Sequence, residues 1–352
     1  MTQIFALNLL VVFGRDLISL RCAVSNLKLI PFLFGIFMLG CSGELTLSKG
    51  KVIDLSNEPL LAAQFSKQGS LVLVMDFKGQ AAVYKANNFE KIFEVSVQEK
   101  LVDPKLAILS DDGTKLILAN DRDVAIWSVS GKVLIGQTQF FGVQSFATIS
   151  AVSISPDNDK LLVGMSDGTV NMATISTRLN NRFKPHTRPV THLKFITNEN
   201  YLSASQDGKF AKRIFASPEP ILEEEFPHRI TSLVVDVESQ RLFVSDALKS
   251  QLVKSLSGQP GKSIQLQYMA RFMVFRQGHF VEHSNLLVTS SSKNHVSIWD
   301  TTTGEELGTW QSQIDTSTAT VLSMYSNDRG ELFTINSDAM IEKWDLTQLN
   351  TL

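Results

Sequence analysis

The chain has few residues suited to metal or redox chemistry. Among its 352 residues only Cys22 and Cys41 are cysteines, and neither belongs to a CxxC pair or a cysteine–histidine cluster. Structural zinc, c-type haem and iron–sulfur clusters need such closely spaced ligands, so the sequence predicts none of them and gives no disulfide framework. The formal net charge of −2 offers no basic surface for nucleic acid.

Local catalytic signatures are missing as well. The sequence contains no HExxH, GxxxxGK[ST] or GxGxxG segment, although metalloproteases and nucleotide-binding enzymes often carry one. His279 and His283 lie four residues apart, but their surroundings are typical of strand and loop, and no third ligand is in view. The sequence therefore predicts no catalytic residue, no cofactor and no metal site.

No apolar run is long enough to span a bilayer, which takes about 20 residues. The longest such run, residues 29–40 (LIPFLFGIFMLG), has twelve residues and matches the hydrophobic part of a secretory signal. Arg21 and Lys28 precede it as a positive segment, and the run ends at Gly40 and Cys41. The alternative is that Cys41 is an ordinary buried cysteine of a core helix or an uncleaved anchor.

The segment Met38-Leu39-Gly40-Cys41 resembles the lipobox of bacterial lipoproteins. The resemblance implies that Cys41 carries a lipid and that cleavage precedes it. Ser after the cysteine implies the outer membrane, facing the periplasm. Met38 departs from the usual Leu, and about 20 residues stand before the positive segment, which a true start near Val24 would explain. We expect a signal peptide at 1–40, a lipidated tether at 41–50 and a folded domain at 51–352.

The rest of the chain repeats one pattern. An apolar strand, a polar turn, a second strand ending in small residues, a turn with Asp and a third strand with an aromatic recur, most clearly from Ile149, Val190 and Val321. The aromatic position of the third strand recurs every 39 to 47 residues, at Tyr84, Trp127, Ala173, Arg213, Leu252, Trp299 and Trp344. This period is typical of four-stranded WD-type blades.

The copies resemble WD repeats. Trp299-Asp300 and Trp344-Asp345 are WD dipeptides, and an Asp stands six residues before the anchor at Asp121, Asp167, Asp207, Asp246 and Asp338. The resemblance implies that a His, a strand Ser, the turn Asp and the anchor stiffen a blade by hydrogen bonds. The fourth copy keeps His186, Ser203 or Ser205, and Asp207, with Arg213 as anchor. The expected structural set is His186, Asp207, Asp167, Asp338, Trp127, Trp299 and Trp344.

The pattern predicts an all-β, seven-bladed β-propeller of four-stranded antiparallel blades. Its short strands are rich in Val, Ile, Leu and Phe, so each sheet is apolar on both faces and needs neighbours to cover them. The last copy supplies only three strands, and Lys51–Leu55 has no blade of its own. We expect this N-terminal segment to complete the last blade and close the ring, which pairs an exposed edge.

The connection between the second and third copies, QTQFFGVQSFATI, contains Phe140, Phe141 and Phe146. In WD-type propellers such connections share one face, the usual partner-binding face, where exposed aromatics suit a binding hot spot. The alternative is that these rings pack between blades. Arg188, Arg229 and Arg271 come from equivalent connections and are expected on the same face.

These observations predict a lipid-anchored periplasmic propeller that acts as a scaffold for unknown protein partners in a bacterial envelope, attached to the membrane through Cys41 and binding no nucleic acid. One alternative is a periplasmic enzyme or ligand-binding protein with a site at the central channel, which would need polar residues from several blades to meet there. Another is a cytoplasmic WD-repeat scaffold. The mass of the mature N-terminus distinguishes the periplasmic location from the cytoplasmic one.

Overall fold

The computed structural model describes residues 53–55, 58–95, 101–257, 263–267, 274–292, 294–347 and 349. These residues form seven separate antiparallel sheets of four strands each, and they include no α-helix. No helix in these ranges is long and apolar enough to cross a membrane. The predicted signal peptide, Cys41, the tether and Arg271 lie outside the described residues.

Each sheet is one blade, and its strands follow one another from the channel outward. Blade 1 comprises β2 (Leu60–Phe65), β3 (Leu71–Asp76), β4 (Ala81–Lys85) and β5 (Lys91–Val95). Blade 2 comprises β6 (Leu106–Leu109), β7 (Lys115–Ala119), β8 (Asp123–Ser128) and β9 (Val133–Gln139). Blade 3 comprises β10 (Ile149–Ile154), β11 (Lys160–Met165), β12 (Val170–Thr174) and β13 (Leu179–Phe183).

The remaining blades repeat this order. Blade 4 comprises β14 (Val190–Phe195), β15 (Asn200–Ser205), β16 (Lys209–Ile214) and β17 (Pro220–Glu225). Blade 5 comprises β18 (Ile230–Asp236), β19 (Arg241–Asp246), β20 (Gln251–Ser255) and β21 (Ile264–Gln265). Blade 6 comprises β22 (Phe275–Phe280), β23 (Leu286–Ser291), β24 (His295–Asp300) and β25 (Glu306–Gln311). Blade 7 comprises β26 (Val321–Ser326), β27 (Glu331–Asn336), β28 (Met340–Asp345) and β1 (Ile53–Asp54).

The core lies between blades. Seven apolar clusters occur among the described residues, and each joins two consecutive blades. One of them, for example, packs Leu116 and Trp127 of blade 2 against Leu73 and Val83 of blade 1. A sheet with two apolar faces is therefore covered on both sides, and the predicted seven-bladed propeller is confirmed.

The ring closes between blades 7 and 1. Ile53 pairs with Ile341, Asp54 pairs with Met340, and the N–H of Leu55 donates to the carbonyl of Ala339 at 3.1 Å. The N-terminal strand is thus the outermost strand of blade 7, as predicted. Another cluster packs Leu60 of blade 1 against residues of blade 7 that include Ile335, which buries the seam.

One anchor residue was wrongly placed from sequence. In the other six blades the anchor pairs with the second residue of the second strand, as Arg213 does with Tyr201. In blade 5 the second residue of the second strand is Leu242, and it pairs with Lys254. The anchor of blade 5 is therefore Lys254, two residues beyond the predicted Leu252. The turn between β19 and β20 has the same length as the turn of blade 4, but Asp246 lies two residues earlier in it than Asp207 does in blade 4. Asp246 ends the strand, and its carboxylate accepts the N–H groups of residues 248–250 at 2.6–2.9 Å.

Candidate functional site

The connection between blades 2 and 3, residues 140–148, is called the aromatic loop below. Its first residue, Phe140, is only 1% exposed and belongs to a cluster with Ile126 and Ile149. Its N–H donates to the carbonyl of Arg122 at 2.8 Å, so the backbone is still held beside the blade where the ring packs inward. The expectation that Phe140 is exposed on the partner-binding face is therefore wrong.

The other two predicted aromatics are on the surface. Phe141 is 44% exposed and Phe146 is 73% exposed, and Val143 between them is 61% exposed. The guanidinium of Arg122 lies 5.8 Å from the ring centre of Phe141 and donates to the carbonyl of Ser145 at 2.7 Å. A cation over an aromatic face stabilises that ring without burying it.

Hydrogen bonds fix the backbone of the aromatic loop. The Asp167 carboxylate accepts the N–H of Gln144 at 2.8 Å, and Thr169 Oγ1 accepts the N–H of Val143 at 3.1 Å. The carbonyl of Gly142 accepts from Arg182 at 3.1 Å. Burial opposes ionisation of Asp167, but the N–H groups that it accepts hold the pKa of this carboxyl below its usual value.

The exposed apolar surface extends beyond this loop. Val102, in the connection between blades 1 and 2, is 76% exposed, and its carbonyl accepts from Asn120 Nδ2 at 3.2 Å. Asn120 begins the same turn of blade 2 that holds Arg122 against the aromatic loop. Val102, Phe141, Val143 and Phe146 are called the apolar face below.

Sequence reasoning missed Val102. The sequence does show that Val102 is an apolar residue in a polar connection between strands, where the strand pattern does not call for an apolar side chain. Arg188 and Arg229 do lie in equivalent connections, before β14 and β18, and both are exposed. They belong to blades 4 and 5, farther round the ring from the aromatic loop.

Blade 4 contains the hydrogen-bonded network. His186 is buried, and its Nε2 lies 3.0 Å from Ser203 Oγ while its Nδ1 lies 3.3 Å from Asp207 Oδ2. Ser203, not Ser205, is thus the strand serine of this group. Arg213 Nη1 donates to the same Ser203 Oγ at 3.0 Å, and Arg213 Nη2 donates to Glu223 at 3.1 Å.

Asp207 also holds the connection that leads into its own blade. Its two oxygens accept the N–H groups of Thr187 and Lys209, each at 2.9 Å. Burial opposes ionisation, but His186 and these N–H groups together hold the pKa of Asp207 well below its usual value. His186, Ser203 and Arg213 are buried and contact one another, which fits a structural brace.

The anchors of the other blades are bonded less completely. Trp299 Nε1 donates to Thr289 Oγ1 at 2.8 Å. Trp344 and Thr334 occupy the matching positions in blade 7, but Trp344 packs against Trp310 with ring centres 5.2 Å apart. Asp338 accepts the N–H groups of Asp315 and Thr316 at 2.8 and 2.9 Å. Trp127 is buried among apolar neighbours.

The opposite end of the channel, formed by the turns between first and second strands, holds a cavity of about 450 Å³. Lys67 Nζ lies 4.0 Å from Glu238 Oε1, and Lys194 Nζ lies 3.4 Å from Asp111 Oδ1, so charged pairs join non-adjacent blades across the mouth. The polar lining thus comes from several blades, which is what the ligand-binding alternative needs.

The two neighbouring histidines serve different purposes at this mouth. His279 Nε2 accepts the N–H of Ser326 at 3.0 Å, and burial lowers the pKa of His279 to about 4. His283 is exposed and lies with Glu282 and Asp328, and one donor atom from each of the three falls within 4.8 Å of the others. Among the described residues, these three could hold a metal ion, and His279 is not one of the group.

Comparison with known families bears on this architecture. Residues 138–172 and 177–210 match the family model described as WD domain, G-beta repeat. These two segments are similar to WD repeats. The matched segments run from the end of β9 into β12, and from the start of blade 3's outer strand into β16, so they include the aromatic loop and His186. No curated protein matches the chain. WD-repeat propellers in general mediate protein interactions, and the fold is consistent with that role.

Proposed function

We propose that this chain is a protein-interaction scaffold whose partner binds the apolar face. The observation that carries the proposal is the aromatic loop, which exposes Phe141, Val143 and Phe146 on a backbone fixed by Asp167 and Thr169. Burying a Phe side chain fully contributes about 1.5–3 kcal/mol. Because the loop is already ordered, binding loses little conformational entropy there, and more of that free energy is available as affinity.

The geometry matches what an interaction hot spot requires. Hot spots are enriched in large side chains near the centre of a patch, with near-neutral polar groups around them. Phe141 and Phe146 are flanked by Arg122, and an Asp121–Lys105 ion pair of 2.6 Å lies on the same turn. An exposed ion pair of this kind contributes little free energy. It therefore fits the near-neutral polar rim that surrounds a hot spot.

We further propose that the scaffold is attached by lipid at Cys41 and faces the periplasm. The support is the sequence of the signal-like segment 1–40 and its end at Gly40-Cys41-Ser42. Intact-mass measurement of the mature protein tests this address. A mass that begins at an acylated Cys41 agrees with it, and a mass that includes residue 1 contradicts it.

Paired variants test the scaffold proposal. Phe141→Ser and Phe146→Ser remove the two exposed rings, and Leu179→Ser removes a side chain that is 64% exposed on the outer strand of blade 3. Tagged full-length protein is recovered from its native cells after chemical crosslinking. We expect a partner with the parent and with Leu179→Ser, but not with the two Phe variants. Equal recovery with all of them would contradict the proposal.

A second candidate is a small-ligand site in the channel-mouth cavity. The supporting observation is that Lys67, Asp111, Lys194 and Glu238 meet there from four blades. A thermal-shift screen of small charged metabolites tests it, with Lys194→Ala as the variant that should abolish any shift. A hit that survives Lys194→Ala would not be a ligand of this cavity.

A further inference from the structure

The outer edge of blade 2 differs from those of the other blades. β9 is the outermost strand of its sheet, and none of the described strands pairs with its outer side. Its seven residues, VLIGQTQ, include neither a charge nor a proline. An outermost strand presents unpaired N–H and C=O groups, which form a ready template for another strand.

The other outermost strands carry the features that prevent such pairing. Two of them are only two residues long, β1 and β21. The rest contain charged residues: Lys91 and Glu94 in β5, Arg182 in β13, Glu223, Glu224 and Glu225 after Pro220 in β17, and Glu306 in β25. Short length, charge and proline are the devices that protect sheet edges in natural proteins. Of the described outer strands, β9 alone has none of them.

The middle of β9 is a glycine that the fold does not require. A Cβ built on Gly136 meets no atom within 4 Å, and its φ lies outside the left-handed region. Glycine in a strand costs roughly 0.5–1 kcal/mol relative to Ala. Glycine inside a strand often marks a place where another backbone approaches closely. Because no described residue comes within 4 Å of the place where a Cβ of Gly136 would lie, the feature points to a backbone from outside.

The part of β9 that can pair regularly is its second half. A bulge leaves Ile135 without a direct partner, after which Gly136 to Gln139 pair in register with Ile126 to Asp123. The same bulge occurs in blades 1, 4 and 6, so it does not distinguish blade 2. β25 also has a glycine just after its bulge, Gly308. However, β25 begins with the charged Glu306, and its Trp310 packs against Trp344.

We propose that β9 accepts an extended segment of a partner protein as a fifth strand of blade 2. Backbone hydrogen bonds supply the affinity in this mode of recognition, and alternate side chains supply specificity. The edge has no charge, so it fits an uncharged, β-branched segment. The inference goes beyond the proposed apolar face, because a partner could bind either surface alone.

A second copy of the chain fits this edge less well. Two rings that met at this strand would share a strip about 23 Å long and about 5 Å wide. Stable interfaces bury about 800 Å² on each partner, and two convex rings offer little contact beside the strip. A flexible extended segment needs no such area. β9 also leads directly into Phe140 and the aromatic loop, so one partner could continue from the edge to the apolar face.

Site-specific photo-crosslinking tests the strand pairing. Benzoylphenylalanine is placed singly at residues 137, 138 and 139 of the full-length chain in its native cells, and the crosslinked residues are mapped by mass spectrometry. We expect adducts to one partner segment, with the crosslinked residue moving one position along the partner for each step along β9. No adduct, adducts scattered over a partner surface, or adducts to β9 of a second copy would each overturn the proposal.

A charge variant gives an independent measurement. Gln137→Lys with Thr138→Lys gives β9 the protection that other edges have, and Asn180→Lys with Asn181→Lys makes the same change on β13. We expect recovery of the crosslinked partner to fall at least tenfold for the first pair and to stay unchanged for the second, with equal melting temperatures. Unchanged recovery with both pairs would refute strand addition. If Phe146→Ser abolishes recovery while the β9 pair does not, the apolar face stands and only the strand proposal fails.

Discussion

Arg213 Nη1 donates to Ser203 Oγ at 3.0 Å, where blade 6 has Trp299 Nε1 donating to Thr289 Oγ1 at 2.8 Å. The two anchors occupy matching positions, since each pairs with the second residue of its blade's second strand. A guanidinium therefore replaces an indole as the donor to the strand hydroxyl. Arg213 reaches farther than Trp and also pairs with Glu223 of the outer strand, which ties three strands of blade 4 together.

Removing the shared hydroxyl should weaken blade 4. Ser203→Ala leaves His186 Nε2 and Arg213 Nη1 without their common partner in a buried place. We expect the free energy of unfolding to fall by about 1–3 kcal/mol, measured by urea denaturation. Ser145→Ala, at an exposed position, serves as the control. A Ser203→Ala loss no larger than that of the control would show that the network does not stabilise the blade.

Acid should destabilise the ring before its carboxylates titrate. Burial lowers the pKa of His279 to about 4, below its ordinary value near 6.5. The unfolded chain then binds the proton first, so stability is complete above pH 6.5 and is lost as pH falls towards 4, by up to about 3 kcal/mol. His192, whose pKa burial also lowers to about 4, acts in the same direction.

The matched histidine variants check this origin. His279→Gln should flatten the fall in urea-unfolding free energy between pH 6.5 and 4, whereas His283→Gln, at the exposed neighbour, should leave the slope unchanged. A slope that is the same in both variants and in the parent would assign the acid sensitivity to other groups.

Two glycines should respond in opposite ways to the same substitution. Gly69 has φ +63°, and a Cβ there would lie 2.0 Å from the ring of Tyr325 across the closing seam. Gly69→Ala should therefore lower the free energy of unfolding by about 1 kcal/mol or more, the magnitude that overpacking costs. Gly136→Ala meets open space and an ordinary backbone, so it should be neutral or stabilise by about 0.4–1 kcal/mol. Equal effects on urea unfolding would contradict the described seam.

The aromatic loop should lose its order without Asp167. Asp167→Ala removes the acceptor for the N–H of Gln144. We expect hydrogen exchange of residues 142–147 to accelerate while Phe141 and Phe146 remain present, and partner recovery to fall with it. An unchanged exchange rate would mean that the other contacts of the loop are sufficient to hold it.

The architecture was predictable because it depends on repetition. Apolar strands at a regular spacing and an unmatched N-terminal strand specify seven blades and their closure, and the pairing of Ile53 with Ile341 agrees. The anchor of blade 5 was not predictable, since Asp246 lies two residues earlier in its turn than Asp207 does in blade 4, and a count of six residues from it ends at Leu252 instead of Lys254.

Exposure was harder to predict than fold. Phe140 and Phe141 are adjacent, yet one ring is buried and the other is exposed. The difference arises from where the backbone leaves the ladder, since the N–H of Phe140 is still bonded to Arg122. Composition and spacing do not contain that information. The uncharged edge of β9 could have been predicted, because the lack of charge is visible in the sequence once the outer strands are known.

Photo-crosslinking from position 146 in intact cells tests the scaffold account most directly. Benzoylphenylalanine at Phe146 on the apolar face is compared with the same group at Leu179 on the outer edge of blade 3, where exposure is similar. The account predicts one discrete adduct to the same protein in repeated experiments from position 146 and none from position 179. The same diffuse set of adducts from both positions, or no adduct from 146, would contradict it.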